Sequence, residues 1–156
     1  MNFSKFVLPA AFVVSFAVTT SQFVSAQDWA EFLGPHGSAR TADAAPTEWN
    51  ESKNMLWKMD LPGSGSSSPI IVGDRVFVTC YSLDNDNLTR QIVCTDKMSG
   101  KQLWAKAFPA EYREDGYRGY ITEHGYASNT PVSDGEHLFV FFGKGGVHSL
   151  DLDGNL

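Results

Sequence analysis

The stretch IVCTDKMSGKQLW, Ile92 to Trp104, decides the architecture of this 156-residue chain. It opens as an apolar strand, breaks at a polar turn containing Asp96, Ser99 and Gly100, and resumes in a strand carrying Trp104. Asp and Ser hold such a turn by local side-chain hydrogen bonds, and Gly lets a ring approach bare backbone. Nothing nearby in sequence buries so large an indole, so its partner has to come from another unit of the chain.

Working outward, the same plan occurs twice. SSSPIIVGDRVFVTCY (Ser66 to Tyr81) and ASNTPVSDGEHLFVFFG (Ala127 to Gly143) each place small polar residues before a proline (Pro69, Pro131). A turn with Asp74 or Asp134 follows, then an apolar run with Phe77 or Phe139. A third strand comes next in each copy, IVCTD or VHSLD, ending at Asp96 or Asp151 with Gly100 or Gly154 close behind. The first copy adds a fourth strand, KQLWAKAF, and the earlier segment NMLWKMDL carries the same Leu-Trp pair at Leu56 and Trp57. The predicted order is one closing strand, one full unit of four strands, and three strands of another. Helix is nearly absent, at most one turn at Ala30 to Leu33. Four-stranded units repeated around a ring build a β-propeller of about four to eight blades. Two blades alone leave apolar faces and strand edges bare, so the chain reads as a fragment that needs the remaining blades.

The spacing A-x-D-x-x-T-G-x-x-x-W is the tryptophan-docking motif of quinoprotein alcohol dehydrogenase-like, or PQQ-like repeat, propellers. This chain resembles it with Cys94, Asp96, Ser99, Gly100 and Trp104 in the five positions, while the second copy keeps Asp151 and Gly154 in a turn one residue shorter. The resemblance implies an all-β fold, a partial β-propeller of four-stranded antiparallel blades, in which each indole docks against the glycine turn of the adjoining blade. DWAEFLGPHGSA and LWKMDLPGSGSSSPI also look like the opening of exported bacterial proteins with such repeats. That group includes the outer-membrane assembly lipoprotein of the Bam machinery, but no lipobox cysteine follows the signal here. True quinoprotein dehydrogenases hold pyrroloquinoline quinone under a vicinal Cys-Cys ring beside a calcium ion. Here Cys80 and Cys94 are well separated and nothing matches the calcium set, so no cofactor or metal is evident, and PQQ enters only through the resemblance.

The expected organisation is a signal peptide over 1–26, an extended N-terminal segment over 27–53 and propeller blades over 54–156. Lys5, the apolar run Phe6 to Val18 and the small residues Val24-Ser25-Ala26 have the form of a cleaved secretory signal, which implies a periplasmic or secreted protein without stable membrane insertion. A net charge of −6 with no basic cluster gives nucleic acid no footprint. Export makes a disulfide between Cys80 and Cys94 possible if RVFVTC and RQIVC pair about a turn near Asn87; two buried free thiols are the alternative.

The remaining motifs read as structure. DNDN (Asp84 to Asn87) and DLDG (Asp151 to Gly154) lack the distal Glu of a calcium loop and suit hairpin turns. GSGSSS (Gly63 to Ser68) leads into a strand, whereas a phosphate cradle opens a helix. FGKGG (Phe142 to Gly146) reads as a tight turn, and the four histidines form no ligand set or triad. FPAEYREDGYRGYITEHGYASN (Phe108 to Asn129) is different, because it is far longer than a link between blades requires. Up-and-down topology puts this insert on the same end as SLDNDNLT. Its Tyr117, Tyr120, His124 and Tyr126 are candidate ligand or partner contacts, with Tyr112 beside them; the alternative is a loop packing its own rings on the blade edge. The functional expectation is an exported binding or scaffolding module with no catalytic residue assigned and no partner named. The alternatives are a fragment of a PQQ-dependent oxidoreductase whose cofactor residues lie outside the chain, or a sensor segment of a signalling protein.

Overall fold

The structure is a computed structural model that describes residues 28–41 and 44–156. The expected signal peptide therefore lies outside the described residues. Among the described residues, two antiparallel sheets account for almost all regular structure. The first, in the order β1 (Ile70–Val72), β2 (Arg75–Asp84), β3 (Asn87–Asp96) and β4 (Gln102–Pro109), is a four-stranded meander. The second is a three-stranded meander of β5 (Val132–Ser133), β6 (His137–Phe141) and β7 (Val147–Asp151). One five-residue helix, α1 (Tyr120–His124), lies in the insert between them. These sheets are partial blades of a β-propeller.

The core lies between the two sheets. Ile70, Phe77, Ile92 and Cys94 of the first meet Leu138, Val140 and Leu150 of the second, with Phe142 beside them, and Trp104 and Phe108 pack at the margin. Strand residues alternate between faces, so the opposite side of the second sheet carries Val132, Phe139, Phe141 and Val147, all exposed. The N-terminal segment stitches the inner strands together. Trp29 pairs with Ile71 through two 2.9 Å backbone bonds, and Ser133 N–H donates to Ala30 O at 2.9 Å.

The strand pairing decides three points that the sequence raised. First, SLDNDNLT is hardly a loop: β2 and β3 run on until only Asn85 and Asp86 remain between Asp84 and its partner Asn87. Both central residues have positive φ, 46° and 66°, the backbone that a two-residue hairpin of matching twist demands and that Asn and Asp tolerate. Second, that shorter turn moves the register. Cys80 lies opposite Gln91 and Cys94 opposite Phe77. Phe77 and Cys80 are an odd number of residues apart, so the two thiols occupy opposite faces, and both are buried and free. Of the two alternatives, the disulfide and the buried free thiols, the structure has the free thiols. Third, NMLWKMDL joins no ladder, so the expected eighth strand is absent among the described residues; no adjacent described strand offers it hydrogen bonds, and Trp57 ties it to the first sheet.

GSGSSS continues the line of β1 along β2. Ser64 pairs with Tyr81 through bonds of 2.7 and 2.9 Å, and the Ser67 hydroxyl replaces a backbone rung at Thr79. A side chain at Gly63 would collide with the Tyr81 carbonyl. The glycine thus serves close strand packing.

Candidate functional site

Two indoles are seated in the same way. Trp57 Nε1 donates to Lys97 O at 2.8 Å, and its ring covers Gly100, whose φ of 69° and missing Cβ both favour glycine. Trp104 Nε1 donates to Leu152 O at 3.0 Å, and a Cβ on Gly154 (φ 86°) would lie 3.0 Å from the Trp104 ring. Each accepting carbonyl belongs to the residue after the turn aspartate, Asp96 or Asp151. Trp104 thereby ties β4 of the first sheet to the turn after β7 of the second. Arg75 reinforces that seam: its guanidinium also donates to Leu152 O and pairs with Asp153 at 2.7 Å. Cys94 lies beneath, opposite Trp104 in the β3–β4 ladder, and burial pushes its thiol up to about 11.

The insert is held at the other end of the strands by a residue that sequence reading missed. Arg90, on β3, points into the seam with its side chain 4% exposed and pairs with Glu114 (15%) at 2.6 Å. Its Nε donates to Tyr126 O at 2.8 Å, and its guanidinium stands 6.0 Å from the centre of the Phe142 ring. Ala110 N–H extends the β3–β4 ladder to Leu88 O, while Lys144 from the turn between β6 and β7 reaches Arg113 O and Asp115. An arginine inside the apolar pattern of β3 was the available signal, since a buried charge demands a partner.

The four candidate contacts fall into two groups. Tyr126 is scaffold. It packs edge-on at 5.3 Å to Tyr81 and donates to Asp115 O at 2.8 Å; burial, then the Glu114 charge, pushes its phenol up. Tyr117 lies 6.1 Å from Tyr126, yet keeps 55% of its surface open. Tyr120, 82% exposed, and His124 project from α1 into solvent. Between the tip of the β2–β3 hairpin and residues 109–117 lies an open cleft of about 710 Å³, with Leu83, Tyr112 and Tyr117 on its walls. The insert and the hairpin tip therefore share one end of the sheets.

A family model described as outer membrane protein assembly factor BamB, built on PQQ-like repeats, matches residues 48–156. The chain belongs to that family. Neither a curated protein nor a solved structure matches it. The match spans both sheets and both indole seats of this PQQ-like repeat protein. Among the described residues no helix is long and apolar enough to cross a membrane.

The turn aspartates of this PQQ-like chain are committed to backbone geometry. Asp96 Oδ1 accepts from the Ser99 hydroxyl at 2.6 Å and from Ser99 N–H at 2.7 Å; Asp151 accepts from the Asn155 side chain and from Asn155 and Asp153 N–H; Asp134 accepts from His137 and Glu136 N–H. These bonds favour the ionised form and hold all three carboxyls below their ordinary range. The sign follows from linkage: the contribution to stability is complete above the unfolded-state value, about 4, and is lost as pH falls through the lower folded-state values. Melting temperature is expected to hold from neutrality to about pH 4 and fall below it. Asp151→Asn should lower stability at neutral pH and flatten that acid limb, which thermal melts across pH would measure.

Proposed function

We propose that this chain is part of an exported propeller module that binds or scaffolds other proteins through the end carrying the insert. The observation that supports this reading most is the buried Arg90–Glu114 pair: it fixes the backbone of a long loop while Tyr112, Tyr117 and Tyr120 stay open to solvent. Large amphipathic rings on a fixed backbone offer contact area at low entropic cost. The family's description, an assembly factor for outer membrane proteins, fits an interaction role, and the N-terminal residues 1–26 fit export. No quinone site is assigned to these residues: Cys80 and Cys94 lie at different rungs and on opposite faces, so they do not form a vicinal ring.

A photo-crosslinking residue at position 120 of the full exported chain is expected to capture a partner, and one at Lys101, on the opposite end, is not. Tyr117→Ala with Tyr120→Ala should leave the melting temperature unchanged and reduce capture several-fold. A loss of thermal stability would instead make the tyrosines part of the fold.

A further inference from the structure

The groove beside the β2–β3 hairpin has an unfinished strand edge. Tyr81 spends its N–H and C=O on Ser64, away from β3. In an antiparallel ladder the outward-facing groups recur at every second residue, so Leu83 also turns its N–H and C=O outward. By register its partner would be Pro62, which has no N–H to give. No described residue hydrogen-bonds Leu83 on that side, and Leu83 is 49% exposed.

The surroundings of that edge are shaped for a chain. A smaller cleft of about 340 Å³, running from Gly63 and Ser64 past Leu83, shares Leu83 and Tyr117 with the larger cleft holding Tyr112. The larger cleft lies on the β3–β4 side, against Leu88, Thr89, Pro109 and Ala110, and the two meet at Leu83 and Tyr117 as one groove across the hairpin tip. Its charge leans acidic: Glu114 and Asp115 are taken by Arg90 and Lys144, while Asp86 and Glu111 have no ion pair to any described residue and face a single lining base, Arg113. Tyrosine faces add attraction for a cation.

We propose that this groove receives an extended segment of another polypeptide, which adds one rung to the sheet at Leu83 and places a basic side chain between Tyr112, Tyr117 and the free carboxylates of Asp86 and Glu111. Strand addition of this kind takes its affinity from main-chain hydrogen bonds and its selectivity from side-chain pockets. The proposal rests on the binding-module reading and specifies the partner's chemistry.

The test uses a fluorescein-labelled decapeptide alternating valine and lysine, with binding to the full chain followed by anisotropy at physiological salt. Wild type is expected to bind it. N-methylation of alternate peptide amides, which keeps charge and removes pairing, should weaken binding at least about ten-fold. Leu83→Pro, at an edge position whose outward N–H is free, should do the same, and a glutamate-for-lysine peptide should not bind. Equal binding of the N-methylated and parent peptides, or of the glutamate peptide, overturns the proposal. So does a dimer in sedimentation that disappears with Leu83→Pro, which would give the groove to a second copy. If no peptide binds while crosslinking at position 120 persists, the strand-addition groove is wrong and the module reading survives; if crosslinking fails as well, both fall.

Discussion

Trp104→Ala is expected to cost about 3–5 kcal/mol, the range for deleting a large aromatic side chain from a packed site, and to lower the melting temperature by roughly 10 °C or more. Three losses combine. The ring leaves a gap beside Phe77, 5.8 Å away between centroids, at the margin of the core between the sheets. Gly154 loses the ring that covers it. Leu152 O loses one of its two donors, with only Arg75 left. Trp104→Phe retains most of the packing and removes the Nε1 bond, so its cost should be nearer about 1–2 kcal/mol. Denaturant melts of the two variants separate packing from hydrogen bonding. Equal small effects would mean that the seam is held elsewhere.

The second large effect belongs to Arg90. Arg90→Met leaves the Glu114 carboxylate nearly buried without its cation, a change that typically costs about 3–5 kcal/mol; it also strips a donor from Tyr126 O. Because that pair joins β3 to the insert, the damage should be local. Hydrogen exchange is expected to accelerate across residues 110–126 while the middle of β2 and β3 stays protected. Adding Glu114→Gln to Arg90→Met removes the stranded charge and should recover a substantial part of the loss. A double variant no better than Arg90→Met alone would show that the ion pair is not what fixes the insert.

Much of the architecture was legible because it is written in short-range patterns. The paired runs around Pro69 and Pro131, each followed by a turn and an apolar strand, located both sheets, and KQLWAKAF became β4. The errors arose where pairing partners decide the outcome. NMLWKMDL has the pattern of a strand but no neighbour to pair with, so it stays outside the ladders. DNDN is legible as the β2–β3 turn, but a turn centred near Asn87, which would bring the two thiols face to face, is one residue or more too late. Leu83 and Leu88 pair across the ladder and carry it to Asn85 and Asp86, and that small shift separated Cys80 from Cys94. The helix α1 is too short for any periodic signal. At the candidate site, the exposed tyrosines announced themselves by composition. The Arg90–Glu114 pair did not, since it joins residues 24 positions apart across an irregular loop. Local spacing likewise leaves open which carbonyl each indole reaches.

The central claim is that each indole is seated on the glycine turn of another sheet unit, and it is tested most directly by hydrogen exchange at the Trp104 Nε1–H, read by NMR in the intact chain. With that N–H donated to Leu152 O at 3.0 Å, exchange is expected to be slowed by orders of magnitude relative to a free indole, with nuclear Overhauser contacts from the ring to Gly154 Hα. Exchange at the free-indole rate, without contact to Gly154, would contradict the account.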